Sequence, residues 1–160
     1  MKKIRSKYTQ PDFQFIRFRL GSREFGIDVS CVKEIMRLKA SRKDEGAPAF
    51  ISGLINVRSM TIPLIDMRQR FAFPLDITEN SRVIIASVET FIIGLIVDEV
   101  SDIALGAKEV TLKPEHLGDV WDSCLEALVD TGNGKVLILE PSRLLTEEEK
   151  KALSCPPAGV

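Results

Sequence analysis

The chain is poor in the residues that carry out most chemistry. Its 160 residues include one histidine, one tryptophan, one tyrosine and three cysteines. His116 stands among Pro114, Glu115 and Gly118, and no His/Cys grouping has the spacing of a zinc site. Cys31, Cys124 and Cys155 are odd in number and widely scattered. They read as isolated thiols of a reducing compartment, not as a disulfide framework. The C-terminal segment is not a prenylation box, because Cys155 stands six residues from the end. No glycine-rich phosphate loop follows a strand; Gly132-Asn133-Gly134 lies inside a hairpin pattern, where glycine supplies a positive φ.

An excess of one charge is missing as well. Twenty-two basic residues face 23 acidic ones, for a net charge of −1. That balance argues against a polybasic membrane anchor or a nucleic-acid groove, and one Trp with one Tyr makes a poor base-stacking platform. Long apolar runs are absent: Phe91 to Val97 is strand-length, far short of the ~20 residues that span a bilayer. Met1-Lys2-Lys3-Ile4-Arg5 is basic, but no apolar segment follows, so no signal-peptide pattern opens the sequence.

What is present is a globular composition, 44% hydrophobic and 28% charged. A chain of this length buries about two-thirds of its unfolded surface. It also says nearly the same thing twice. Gly53 to Phe71 (GLINVRSMTIPLIDMRQRF), moved forward by 74 positions, lies without a gap on Ala127 to Leu145 (ALVDTGNGKVLILEPSRLL). The polar stops match along with the apolar runs: Asn56 falls on Asp130 and Asp66 on Glu140. A second echo precedes each copy, Gly26-Ile27-Asp28-Val29 and Gly94-Leu95-Ile96-Val97, leading to Val32 and Ile35 or to Val100 and Ile103. A repeat of this length implies two similar subdomains.

The local pattern is mostly strand. Residues 1–11 form a polar, basic arm, and Asp12 to Leu20 a strand whose apolar parity changes between Phe15 and Ile16, which predicts a twist or bulge there. Gly21-Ser22 turns the chain into a return strand, Glu24 to Val29. Ser30 reads as the cap of a helix presenting Val32, Ile35 and Met36 on one face. Arg42 to Gly46 is a charged loop, and Pro48-Ala49-Phe50 a helical turn. Leu54 to Val57 and Met60 to Ile65 pair across a tight Arg58-Ser59 turn, with Pro63 marking an edge or bulge and Asp66 capping a helix, Met67 to Phe71. After a link at Pro74 to Asn80 come a hairpin (Arg82 to Val88, Thr90 to Val97), two short strands around Gly106, and a loop from Lys113 to Ser123. A last hairpin (Leu125 to Thr131, Lys135 to Leu139) leads to a helix over Pro141 to Leu153.

Many short strands, duplicated, predict two small barrels. Each would hold about seventy residues and be marginal alone, so a shared hydrophobic seam is expected. That seam would form a groove suited to docking a helix. The predicted organisation is one domain over 12–150, with subdomains at about 12–80 and 81–140, the C-terminal helix packing on the first, and a tail at 154–160.

The motifs Phe25-Gly26-Ile27-Asp28-Val29 with Val32 and Glu34-Ile35, Pro48-Ala49-Phe50-Ile51 with Gly53-Leu54-Ile55-Asn56-Val57-Arg58, Ile62-Pro63-Leu64-Ile65-Asp66-Met67-Arg68, and Gly94-Leu95-Ile96-Val97-Asp98 resemble the CheW-type adaptor family of bacterial chemotaxis. The resemblance runs from about Phe13 to Leu145. It implies an all-β fold with short helices, built as two SH3-like five-stranded β-barrel subdomains. It also implies a cytoplasmic, non-enzymatic adaptor without cofactor or metal, held at the inner face of the membrane through receptor arrays. Its partners would be the regulatory domain of a CheA-type histidine kinase and the cytoplasmic tip of a methyl-accepting chemoreceptor, with no nucleic acid and no membrane insertion.

Residue by residue, the resemblance carries the receptor groove onto Val32, Glu34, Gly53, Arg58 and Ile103, with Met60 a weaker kinase contact. Ser59 departs from the family, which commonly has glycine there. Each site residue has a plain alternative: core packing for Val32 and Ile103, turn geometry for Gly53, a structural clamp for Arg58. Other readings of the whole chain are a paralogous adaptor of a pilus or other non-flagellar pathway, a small-barrel binder of single-stranded nucleic acid, and an enzyme using His116 and Cys124.

Overall fold

The computed structural model describes residues 13–38, 48–74, 78–105, 109–111, 123–132 and 134–154. The expected arm, the Arg42–Gly46 loop, the Lys113–Ser123 loop apart from Ser123, His116, and the tail beyond Ser154 lie outside them.

Among the described residues eleven strands run in chain order: β1 (Gln14–Leu20), β2 (Arg23–Asp28), β3 (Val32–Arg37), β4 (Gly53–Val57), β5 (Met60–Asp66), β6 (Arg82–Val88), β7 (Phe91–Val97), β8 (Glu99–Leu105), β9 (Glu109–Thr111), β10 (Leu125–Asp130) and β11 (Lys135–Leu139). Two α-helices, α1 (Met67–Arg70) and α2 (Glu147–Ser154), complete the described structure together with short 3-10 turns. The strands form two sheets. A central sheet has the order β3-β6-β7-β5-β4, and a terminal sheet the order β8-β1-β2-β11-β10-β9.

These orders are one plan used twice. Replacing β3, β6, β7, β5 and β4 by β8, β1, β2, β11 and β10 reproduces the same neighbours, with short β9 added as a sixth strand. The register agrees residue by residue. Leu64 of β5 pairs in parallel with Gly94 of β7, and Ile138 of β11 with Gly26 of β2. Val32 and Ile35 face Ala86 and Ile84, as Val100 and Ile103 face Phe18 and Ile16. Even the irregularities coincide, between Val32 and Glu34 in one copy and opposite Arg17/Phe18 in the other.

The duplicated sequence does not divide into barrels at residue 80, however. The chain enters the terminal sheet with β1 and β2, builds the whole central sheet from β3 to β7, and returns to the terminal sheet at β8. Each copy has therefore given its first hairpin to the other copy's barrel. The expected subdomains, 12–80 and 81–140, are replaced by 32–97 for the central sheet and 14–28 with 99–139 for the terminal one.

Exchange explains where the apolar residues go. The seam core contains Ile16, Phe18, Leu20, Phe25 and Ile27 from one exchanged hairpin and Ile84, Ala86, Val88, Ile93, Leu95 and Val97 from the other. Separate small cores fill the barrels: Phe15, Ala127, Val129, Val136 and Ile138 in the terminal one, Ile55, Ile62, Leu64, Val83, Ile85 and Ile96 in the central one. Strand β1 is thus buried on both faces, Phe15 toward its barrel and Ile16 toward the seam. The change of parity at Phe15/Ile16 reflects two buried faces, and the register shift against β8 lies at Arg17/Phe18 instead.

Three local expectations are corrected. The segment after Asp28 is a 3-10 turn at Val29–Cys31, capped by the Asp28 carboxylate and not by Ser30, and Val32–Arg37 is a strand. Pairing with β6 outweighs the weak helical spacing of Val32, Ile35 and Met36. Pro63 lies in β5, which has neighbours on both sides, but it precedes the Leu64–Asp66 stretch paired with β7. The C-terminal helix is broken into a 3-10 turn at Pro141–Arg143 and α2, which starts afresh with Thr146 and Glu149 in a capping box. Asp66 and Glu140, matched in the repeat, cap α1 and the 3-10 turn through the amides of Arg68 and Ser142.

Gly26 and Gly94 are the repeat's strictest positions. A β-carbon at Gly94 would stand 2.6 Å from Leu64 Cδ2 and 2.9 Å from Val83 Cγ1; at Gly26, 2.7 Å from Phe15 Cδ2 and 2.8 Å from Ile138 Cδ1. Each barrel is narrow enough that the parallel neighbour's side chain occupies that space. Gly94→Ala is expected to destabilise the protein by about 1–3 kcal/mol through overpacking, read as a lower urea midpoint.

Candidate functional site

Strands β3 and β4 are opposite edges of the central sheet, yet Glu34 Oε2 lies 3.5 Å from Arg58 Nη1. The ion pair spans the closure of the barrel. Arg58 is carried at the tip of the β4–β5 hairpin, where it and Ser59 have φ of 49° and 70°. Two left-handed central residues make the type I′ turn that matches strand twist, here without the usual glycine. Ser59 therefore adopts the backbone that a glycine would otherwise supply. The Arg58 side chain is 81% exposed, and a pair so open to water contributes only about 0–1 kcal/mol. A structural clamp is a poor description of it.

The other expected residues spread over both barrels. Ile103 is on β8, an edge of the terminal sheet, and is 57% exposed. Its repeat partner is Ile35 on edge strand β3, itself 37% exposed. These two and Met60, beside the hairpin tip, are the large hydrophobics left in water among the described residues. Plain core packing is thus excluded for Ile103. Val32 is different: half-buried, it packs on the seam core. Gly53 is buried in β4 opposite Leu64 and is not among the left-handed glycines, so turn geometry does not explain it. Its repeat counterpart, Ala127, lies in the interior of the terminal barrel.

Among the described residues the seam is filled by side chains. Two surface cavities are lined by described residues. One, of about 270 Å³, is lined by Phe50, Ile65, Asp66, Gln69, Arg70 and Glu149. The other, of about 310 Å³, is lined by Arg19, Gly21, Pro74, Thr78 and Asp98. None of the expected site residues lines either.

One residue absent from the sequence-derived site organises the joint between barrels. Arg68 is 1% exposed. Its guanidinium donates to both oxygens of Asp66, at 2.9 and 2.7 Å, and lies 3.6 Å from Asp98. Asp98 is the single residue between β7 of the central sheet and β8 of the terminal one. Its carboxylate accepts from the Gly21 amide at 2.7 Å, and its own amide donates to the Arg19 carbonyl at 3.1 Å. The arginine thus ties α1 to the point where the chain crosses over. The signal in the sequence is the pair of carboxylates that end apolar runs at Asp66 and Asp98.

Cys124 offers no catalytic nucleophile. Its thiol is buried and donates to the Arg143 carbonyl at 3.3 Å, and burial raises its pKa above the usual cysteine range. A reactive thiol needs the opposite shift.

The two arginines give a direct contrast. Arg58→Ala is expected to change unfolding free energy by less than about 1 kcal/mol. Arg68→Met, which leaves two partly buried carboxylates without their buried counter-charge, should cost about 3 kcal/mol. Denaturant unfolding of both variants with intrinsic fluorescence or circular dichroism checks the ranking.

Comparison with known proteins agrees with this architecture. The CheW-like domain family matches residues 14–149. A chemotaxis protein CheW from Klebsiella aerogenes is 32% identical over 138 residues, covering 85% of this chain and 83% of the relative. Another, from Bacillus subtilis, is 30% identical over 141 residues, covering 87% and 90%. The crystal structure of the scaffolding protein TtCheW from Thermoanaerobacter tengcongensis superposes with a TM-score of 0.73 at 27% identity, covering 82% of this chain and 90% of that one. The chain, a pair of barrels that exchange hairpins and share one core, belongs to the CheW-like domain family of chemotaxis scaffold proteins.

Proposed function

We propose that this protein is a non-enzymatic adaptor that couples transmembrane chemoreceptors to a CheA-type histidine kinase at the inner face of the membrane. The observation that carries this reading is the placement of Ile103 and Ile35. Folding has left two apolar side chains in water at equivalent positions on the two outer strands β8 and β3. Single exposed hydrophobics are ordinary, but a repeat-related pair on two edge strands, together with the exposed Glu34–Arg58 ion pair of the central barrel, suits a helix bearing an apolar stripe and a few charges. In this reading the receptor tip covers Ile103 and the exposed rim of Val32. Glu34 and Arg58 set specificity through charge, while Gly53, buried in β4, offers the partner no surface of its own. Met60, 48% exposed at the hairpin tip, contacts the kinase.

Because the chain contains two barrels, it has separate faces for two partners. Interfaces of about 1,200 Å² or less would be weak singly and strong in an array through avidity. Among the described residues no helix is long and apolar enough to cross a membrane, so in this reading the receptor supplies the attachment.

Titration of the protein with the regulatory domain of a CheA-type kinase and with a receptor cytoplasmic fragment tests the proposal. Ile103→Asp is expected to weaken receptor binding at least about tenfold, ~1.4 kcal/mol, with kinase affinity and thermal unfolding unchanged. Binding of neither partner by the wild-type chain, or equal loss of both by the variant, would reject it. Ile103 is the cleaner probe, since Val32→Glu also disturbs the seam.

A further inference from the structure

Helix α2 is held to the barrels in an unusual way. Among its eight residues the buried side chain is that of Lys150. Lys150 Nζ donates to Glu89 Oε1 at 2.8 Å, on the β6–β7 turn, and to Glu147 at 3.3 Å. Glu89 holds the ammonium above the usual lysine range. The residue preceding Lys150, Glu149, does two jobs with one carboxylate. Its Oε1 accepts from the Thr146 amide at 2.9 Å, completing the capping box, while Oε2 accepts from Arg70 of α1 at 2.5 Å. Apolar anchoring is slight, with Leu153 half-buried against the seam core. Glu149 also forms one wall of the cavity otherwise lined by Phe50, Ile65, Asp66, Gln69 and Arg70.

We propose that α2 is a charge-fastened latch that opens independently of the barrels and uncovers the cavity beneath Glu149. Two physical facts drive it. An isolated helix shorter than about 12–15 residues is marginal in water, so α2 keeps its hydrogen bonds only while docked. Attraction across the Lys150–Glu89 pair, whose carboxylate is 47% exposed, is screened by salt, whereas the buried seam that holds the barrels together is not. Undocking therefore melts the helix, and ionic strength sets how often that happens. A partner bearing charge that competes for Arg70 or Lys150 would open the latch in the same way.

Hydrogen exchange on the full chain tests this, because Lys150 N–H bonds to the Thr146 carbonyl at 2.9 Å and reports the first closed turn. Raising NaCl from about 50 mM to about 500 mM should speed exchange at Lys150 to Ser154 about tenfold and leave β6 and β7 unchanged. Arg70→Met at low salt should reproduce the fast exchange, and Lys150→Met, which keeps an apolar stem, should do so through the other anchor. Glu148→Gln, at an exposed residue outside these contacts, should have no effect. Helix exchange that ignores both salt and these variants would overturn the proposal. So would acceleration of α2 and β6–β7 together.

Discussion

The reciprocal exchange of hairpins is the constraint from which the rest of this structure follows. Each copy of the repeat lends its first two strands to the other copy's barrel, so neither barrel is complete until both copies are present. The exchanged hairpins meet back to back and form the seam, whose apolar residues come in matched pairs such as Ile16 with Ile84, Phe25 with Ile93 and Ile27 with Leu95. Parting the barrels would expose all of them at once. A chain of this size gains cooperativity from such an arrangement, because two barrels that would be marginal alone share their largest core.

The crossovers are where this constraint meets polar chemistry. Between β2 and β3 the chain makes a 3-10 turn capped by Asp28; between β7 and β8 it has only Asp98. At the second point, buried Arg68 supplies the counter-charge, and the Gly21 amide adds a hydrogen bond from the other sheet. A buried charge network of this kind adds little net stability but strongly disfavours other arrangements, since any shift between the sheets would strand an ion. The exposed Glu34–Arg58 pair has the reverse character: little depends on it for folding, which leaves it available for recognition.

Much of this was legible in order. The strands around Phe25 and Gly94, the turns at Gly21-Ser22 and Arg58-Ser59, and the Asp66 and Glu140 caps follow from alternation and capping rules acting over a few residues. What misled was spacing with two solutions. Val32, Ile35 and Met36 fit a short helix as well as a bulged strand, and the pairing partner β6 lies some fifty residues away in sequence. The Pro141–Leu153 stretch looked continuous because the break at Leu144–Thr146 comes from Leu144 and Leu145 packing into the seam. Of the expected site residues, only Glu34 and Arg58 are seen in direct contact, and it is barrel closure that joins them.

By itself the sequence determined that there are two copies and where most of their strands and turns fall, because hydrophobic period and turn chemistry are local properties; β3, read as a helix, and the Asp28 cap, read at Ser30, were the exceptions. It did not determine which copy's hairpin completes which barrel. Nor did it show that the seam would be packed solid, or that Ile103 would stay in water while Val32 turned inward. Those outcomes depend on contacts between residues far apart in the chain. Identical repeats offer the same strand edges to one another, and only the three-dimensional closure of both barrels together selects among them.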